Sequence, residues 1–256
     1  MKSKKFGQNF LIDDNVAERE INYCDITKDD IVLEVGPGKG ILTKPLAKRA
    51  KKVIAIEIDE KLVDNLKKNL PKNVMLIHSD ALNVDFKTLP KFNKIVSNLP
   101  YKISSPITFK FLEYDFSKAV IIYQKEFANR MVAKVGSKNY SRLSVGVYYK
   151  VKCKIIETIP RTSFHPQPKV DSCIVDLSPR KTNPFFISDE KFFFKLTRDL
   201  FNHRRKKIKN ILKNIYNIEF SEIPFMDKRV EELTPEYIGK LSNILLEIKL
   251  TKKTYC

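Results

Sequence analysis

The sequence predicts an α/β fold, a mostly parallel sheet covered by helices on both faces, with a small all-helical domain after it. Three observations carry this. Five short apolar runs rich in β-branched residues, at 31–35, 53–56, 74–77, 95–96 and 119–123, alternate with amphipathic stretches such as 41–49 and 60–69. A glycine-rich turn, Gly36-Pro37-Gly38-Lys39-Gly40, follows the first run. Beyond a polar, proline-containing stretch at 178–183, Phe193, Leu196, Leu200, Ile208, Ile211, Leu212 and Ile215 recur at helical spacing.

Near-continuous apolar runs, rather than alternating ones, mark strands buried on both faces. Strands separated by helices imply right-handed crossovers and parallel pairing. Near 143–149 and 173–177 the pattern reads as short β segments that close the sheet with at least one antiparallel strand. The stretch at 178–183 reads as a linker, dividing the chain into domains at 1–180 and 181–256. A last helix is expected from 235 to about 250.

The 256 residues are 43 % hydrophobic, enough for a buried core, and carry a formal net charge of +18. That excess points to an anionic partner, RNA, DNA or a membrane surface, although a generally basic proteome would also produce it. No apolar stretch of about 18 residues occurs, so no spanning helix is expected. The polar, basic first ten residues do not read as a signal peptide, and a cytoplasmic protein is expected. Cys24, Cys153, Cys173 and Cys256 are far apart without CxxC spacing and read as reduced thiols. His78, His165 and His203 are equally scattered, so no metal site is expected.

The glycine turn lets the backbone approach a ligand at the carboxyl ends of the strands. It is GxGxG with Pro37 inside, neither the GxGxxG of a dinucleotide fold nor a phosphate loop ending in GK[ST]. Glu57, 21 positions after Gly36 at the end of the second run, can accept from ribose hydroxyls. Asp80, followed by Ala81 at the end of the third, could take an adenine amino group. Together they describe a nucleoside site without a pyrophosphate pocket, and S-adenosylmethionine is such a nucleoside. A glycine turn with two solvated acids is the competing reading.

The fourth run ends in Asn98-Leu99-Pro100-Tyr101. An adenine N6 is a weak nucleophile because its lone pair is delocalised into the ring. Acceptors around its N–H bonds can direct that lone pair at a methyl sulfonium. Asn98 offers a side-chain oxygen, Leu99 a carbonyl held extended by Pro100, and Tyr101 a face for the base. An ordinary proline turn after a strand would look the same.

These motifs, with Lys5-Phe6-Gly7-Gln8-Asn9-Phe10-Leu11 before them and Phe164-His165-Pro166-Gln167-Pro168-Lys169-Val170-Asp171-Ser172 after them, resemble the KsgA-type small-subunit rRNA adenine dimethyltransferases. The match covers most of residues 5–176 in order. The resemblance implies a Rossmann-like class I methyltransferase sheet and S-adenosyl-L-methionine as cofactor. It implies that Gln8, Asn9, Leu11, Gly36, Gly38, Glu57, Asp80, Ala81 and Asn98 form the cofactor site. It also implies that Asn98, Leu99, Pro100 and Tyr101, with Phe164, hold the flipped adenine. The family dimethylates two adjacent adenines in a hairpin near the 3′ end of small-subunit rRNA. A pre-ribosomal small subunit is thus the expected partner, met by a monomer without metal or membrane. The short lead before the first motif resembles archaeal more than bacterial members. Read alone, 8–11 is a loop before a helix begun by Asp13 or Asp14. Phe164 alone reads as core, though Pro166 and Pro168 favour an extended, partly exposed loop.

Arg204, Arg205, Lys206, Lys207 and Lys209 place five cations in six positions, read as a helix that grips phosphates or, alternatively, as a solvated face. Two other functions stay open. One is the large-subunit rRNA adenine methyltransferase of the antibiotic-resistance type, against which Leu99 and the proline-rich run after Phe164 count. The other is a non-catalytic ribosome-assembly or transcription factor on the same fold, against which the intact Glu57, Asp80 and 98–101 motif count.

Overall fold

In the computed structural model, which describes residues 8–216 and 223–254, the chain enters through strand β1 (Phe10–Leu11) and helix α1 (Asp14–Tyr23). It continues as β2 (Ile31–Val35), α2 (Thr43–Arg49), β3 (Lys52–Glu57), α3 (Glu60–Lys67), β4 (Val74–His78), β5 (Lys94–Asn98), α4 (Ser104–Leu112) and β6 (Lys118–Gln124). Helices α5 (Lys125–Met131) and α6 (Arg142–Lys150) precede β7 (Val151–Ile159), β8 (Phe164–His165) and β9 (Ser172–Pro179). Helices α7 (Glu190–Asn202), α8 (Ile208–Ile211) and α9 (Pro235–Thr254) follow. Lys5, Phe6, Gly7 and Cys256 lie outside the described residues.

Seven strands form one sheet in the order β4-β3-β2-β5-β6-β9-β7. The first five are parallel, and β9 runs antiparallel to both β6 and β7. All five apolar runs are therefore strands, and the sheet closes with antiparallel strands as expected. Val32, Val53, Val96 and Val120 pack on one face against α1 and α2. Their alternates Leu33, Ile54, Ile95 and Ile121 are buried as well, which is why these strands read as continuous apolar runs. The strand order reverses between β2 and β5, so a crevice opens at their carboxyl ends.

That reversal carries a specific device. The registered pairing of β2 with β5 covers Val32↔Lys94 and Leu33↔Ile95. Further along, the Val35 N–H donates to the Ser97 hydroxyl at 2.9 Å. The side chain satisfies a buried amide that would otherwise need a ladder partner.

Two expectations of local structure are corrected. Residues 143–149 are helical, within α6, not β. Their β-branched and aromatic side chains favour strands, but Leu143 to Val147 are buried without a strand's alternation, Ser144 and Gly146 included, and that packing overrides propensity. The missing strand is β7, directly afterwards, which pairs with β9 through a bulge between Ile155 and Glu157. The stretch at 178–183 is not wholly a linker, because Ser178 and Pro179 still pair with Lys152 and Val151.

The chain divides into two compact units. One comprises the residues through Ala128 with Val151–Pro179; the other comprises Asn129–Lys150 with the residues from Arg180 onward. A single cut at 180 leaves 129–150 in the first unit, whereas Tyr140, Val145 and Tyr149 pack with Phe193, Leu196, Leu200, Leu233, Leu241 and Leu245 in the core of the second. Sequence order hides this because the segment is inserted between two strands of the sheet. Tyr149 and Lys150 also bond Glu190 in the first turn of α7.

Leu196→Ala should cost about 2–5 kcal/mol, the usual penalty for emptying a fully buried leucine site. Hydrogen exchange should then rise in 142–150 together with 190–202. If 142–150 instead keeps its protection along with the sheet, that segment belongs to the first unit.

Candidate active site

The glycine turn, Glu57, Asp80 and Asn98 stand at the ends of β2, β3, β4 and β5 respectively, around the reversal point. The crevice divides into two adjoining pockets that share Gln8, Gly36, Glu57 and Pro100. Asn9, Leu11, Gly38 and Asn98 line the first, with Glu34 and Lys39; Asp80 and Ala81 line the second. All nine residues expected to contact a cofactor thus line one pocket or the other.

Gly36 and Gly38 have φ of +73° and +59°, a region L side chains rarely adopt. A Cβ at Gly36 would lie 3.2 Å from the Pro100 ring, and one at Gly38 3.1 Å from the Phe10 ring. The turn is therefore as bare as its neighbours require; Gly36 N–H donates to the Ile56 carbonyl at 2.9 Å and Gly40 N–H to the Pro37 carbonyl at 2.8 Å, whereas Gly38 N–H faces a side chain. Gly38 N–H donates to Glu57 Oε2 at 3.1 Å, while Ile58 and Asp59 N–H donate to Oε1 at 3.0 Å each. Of roughly four acceptor positions on a carboxylate, three are filled. Burial raises the Glu57 pKa, and these three amides oppose it. Asp80 Oδ1 accepts from Leu82 N–H at 2.9 Å, a short turn that fixes the side chain at its strand end.

Asn98 is incompletely satisfied. Its Nδ2 donates weakly to the Asn9 carbonyl at 3.5 Å, and its Oδ1 is buried without a partner among the described residues. A buried amide oxygen left unpaired costs about 1–3 kcal/mol and is uncommon in folded proteins. Leu99 is buried, and Pro100 leads into a short helical turn at Tyr101–Ile103 that continues as α4. The Tyr101 hydroxyl lies 2.8 Å from Ser172 Oγ, and burial raises its pKa.

Phe164 differs from expectation. It is 2 % exposed and packs in the core with Leu11, Val16, Ile159 and Ile174. Strand alternation explains this: β8 pairs with β1, Leu11↔Phe164 and Phe10↔His165, so Phe164 turns inward and the exposed neighbour is His165. It offers no open stacking face in this structure. What β8 does is hold the N-terminal arm, helped by Ile12 N–H to the Ser163 carbonyl at 2.9 Å, and so bring the Asn9 carbonyl to Asn98.

Two buried acids escaped the sequence reading. Glu34 lines the first pocket with its Oε2 unpaired, and Glu20, on the inner face of α1, is fully buried. Among the described residues neither Glu20 carboxyl oxygen has a partner at full hydrogen-bond geometry, the Ser97 backbone being the group that opposes the rise in its pKa. Burial raises Glu34 from 4.5 to about 8 and Glu20 well above its usual range, with the Glu34 charge adding to the latter. Glu20 was hidden by its surroundings in sequence: Glu18, Arg19 and Glu20 are successive charged residues, normally a solvated face.

The basic run lies outside this unit, and only its last member, Lys209 in α8, is helical. Helix α7 ends at Asn202, and His203 to Lys207 form a turn before α8. Arg204 is turned into the protein: it pairs with Glu231 and donates to the carbonyls of Lys138 and Ser137 at 2.7 and 2.8 Å. Lys207 and Lys209 share Asp227 at 3.2 and 2.7 Å. Among the described residues, only Arg205 and Lys206 of this run have side chains without a hydrogen-bond or ion-pair partner. Also among the described residues, no group of three or more His, Cys, Asp or Glu gathers as a metal site would, and no helix is long and apolar enough to cross a membrane.

The family model for ribosomal RNA adenine dimethylase matches residues 1–247, nearly the whole chain. The chain belongs to the ribosomal RNA adenine dimethylase family. It is 49 % identical to a probable ribosomal RNA small subunit methyltransferase A of Methanococcus maripaludis, over 96 % of this chain and 98 % of that one. A dimethyladenosine transferase from Plasmodium falciparum superposes with a TM-score of 0.77 at 33 % identity, covering 94 % and 98 % of the two chains. The 23S rRNA methyltransferase ErmE superposes at 0.65 with 26 % identity, covering 93 % and 99 %. Membership implies a ribosomal RNA substrate and a methyl donor of the S-adenosylmethionine type.

A carboxyl whose pKa is raised on folding gives stability that is complete below its unfolded value and is lost as pH rises through the folded one. For Glu34 that window runs from 4.5 to about 8. Unfolding free energy should fall across it by up to about 1.4 kcal/mol per pH unit for this one proton. Glu34→Gln should flatten the fall in urea titrations at several pH values. Parallel curves for variant and wild type would show that Glu34 stays ionised in the fold.

Proposed function

We propose that this chain methylates N6 of adenine, adding two methyls to each of two adjacent adenines in a hairpin near the 3′ end of small-subunit rRNA. It acts as a monomer on a pre-ribosomal small subunit in the cytoplasm, with S-adenosylmethionine and no metal. The observation that carries this reading is the unpartnered, buried Asn98 Oδ1 beside the glycine turn. An exocyclic amine brings the N–H donor that this oxygen lacks.

The two pockets suit the cofactor by their donor set. Asp80 Oδ2 would accept from its adenine amino group. Glu57, with one acceptor position left, would take a ribose hydroxyl, and the bare backbone at Gly36 and Gly38 leaves room for close approach. When bound, it supplies a methyl group on a sulfonium, a leaving group reactive enough to need no strong general base. In the first transfer Asn98 Oδ1 and the Leu99 carbonyl accept hydrogen bonds from the two N6–H groups and turn the nitrogen lone pair toward the donor. In the second a single N–H is left to hold, and each time the proton shed by the methylated nitrogen passes to solvent. Pro100 keeps Leu99 extended, and Tyr101, anchored on Ser172, offers a face for the base. Catalysis is then alignment for in-line attack. Phe164 contributes from beneath, by packing the strand pair that holds the N-terminal arm. The small-subunit reading is favoured over the large-subunit one by Leu99 and the proline-rich run after Phe164. The higher identity of the relatives named for the small subunit points the same way.

Asn98→Ala should abolish most transfer while leaving RNA affinity within about twofold, since the loss falls on alignment. Nucleoside mass spectrometry of digested rRNA should show dimethyladenine from the wild type. Monomethyladenine alone, or methylated cytosine or guanine, would overturn the assignment.

RNA binding by the basic turn is expected to rest on Arg205 and Lys206. Replacing both with Ala should lower the salt slope of RNA binding by up to about 1.8 units, at roughly 0.7–0.9 per phosphate contact. Arg204→Ala should leave the slope alone and lower stability by about 1–3 kcal/mol, the loss of charged hydrogen bonds. An unchanged slope in the Arg205, Lys206 variant would make that turn a solvated face.

A further inference from the structure

Lys110 stands in the last turn of α4, where a lysine ordinarily points to solvent. Here its ammonium is half-buried and caged. Nζ donates to the carbonyls of Ala81 and Leu82 at 2.9 Å each and to the carbonyl of Val84, and it lies 4.5 Å from the centre of the Phe86 ring. An ammonium has three donors, and all three go to one loop. Among the described residues no carboxylate lies within ion-pair distance. Burial lowers the Lys110 pKa, and the more distant Asp85, Asp80 and Glu113 oppose that.

The loop so held is the one that follows β4. Its start is tied by Ser79 N–H to the Glu57 carbonyl at 2.9 Å, and its turn by Asn83 N–H to the Asp80 carbonyl at 2.9 Å and Leu82 N–H to Asp80 Oδ1. Three carbonyls turned inward on one cation leave the peptide units of 81–84 little freedom to rotate, and Asp80 is hinged on that turn. Helix α4 begins three residues after Tyr101, so the same helix that grows out of the acceptor motif ends by holding the loop of Asp80.

We propose that Lys110 is a positioning residue for methyl transfer: it sets Asp80 against the cofactor's adenine amino group and, through α4, ties that loop to the acceptor motif. This rests on the reading of Asp80 as the partner of that amino group. Lys110 touches neither substrate; it acts through the backbone of 81–84.

The test is calorimetry on the full chain with S-adenosylhomocysteine and its 6-oxo analogue, S-inosylhomocysteine, which lacks the amino group. Wild type should prefer the amino form by about tenfold or more, the worth of one charged hydrogen bond. Lys110→Met, similar in length but uncharged, should bring the preference to within about threefold of unity, as should Asp80→Ala, and the double variant should lose no more than Asp80→Ala does. A general loss of stability would lower Tm without moving this ratio. Wild-type preference in Lys110→Met overturns the proposal, as do losses that multiply in the double variant. Wild-type preference in Asp80→Ala overturns the reading of Asp80 on which the proposal rests, so the two failures are distinct. Should Lys110→Met not fold, Lys110→Arg keeps the charge but replaces three convergent donors with a planar fork. It too should lose preference, and wild-type preference there overturns the proposal.

Discussion

The parting of β2 and β5 is the constraint on which the rest of the site depends. Two parallel strands that stayed paired to their ends would leave no space between the glycine turn and Asn98. Here the registered ladder covers Val32 and Leu33, and the Ser97 hydroxyl takes up the Val35 amide beyond it. The strands can then separate without orphaning a buried N–H. The glycine turn, Glu57, Asp80 and Asn98 all sit at the ends of strands on one side or the other of that opening.

The side chains at the strand ends keep acceptor capacity open to the crevice. Glu57 takes three amides and keeps one acceptor position; Asp80 uses one oxygen for its own turn. Asn98 leaves its oxygen wholly unpaired. Gly36 and Gly38 contribute by absence, since a methyl at either would press on Pro100 or Phe10 rather than leave backbone open. The surrounding core pins these groups from below, with Phe164 and Leu11 joining the arm to the sheet. Such over-determined surroundings allow an unpaired oxygen to persist despite its cost.

The charge of the chain divides by role in the same way. Arg204 spends its donors on Glu231 and the carbonyls of Ser137 and Lys138, which joins residues far apart in sequence within the second unit. Lys207 and Lys209 are partly neutralised by Asp227. Lys110 is spent on backbone. A net charge of +18 thus overstates what any one surface offers to an anion, and the cations of one short run differ sharply in availability.

The alternation of apolar runs and helices, the glycine turn, and the acids and asparagine at the strand ends were legible in the sequence, because each is a local pattern with a period or spacing of its own. The family was legible for the same reason, through motifs of fixed order. What tertiary structure alone decided are matters of which side chain meets which. Residues 142–150 became a helix of the second unit because partners distant in sequence bury them. Phe164 turned inward because a two-residue pairing with the N-terminal arm set its face. Glu20 became a buried acid amid charged neighbours, and one of five consecutive-looking cations became a structural tie. None of these leaves a periodic trace, since burial and hydrogen-bond partners across the fold depend on three-dimensional proximity that spacing along the chain does not encode.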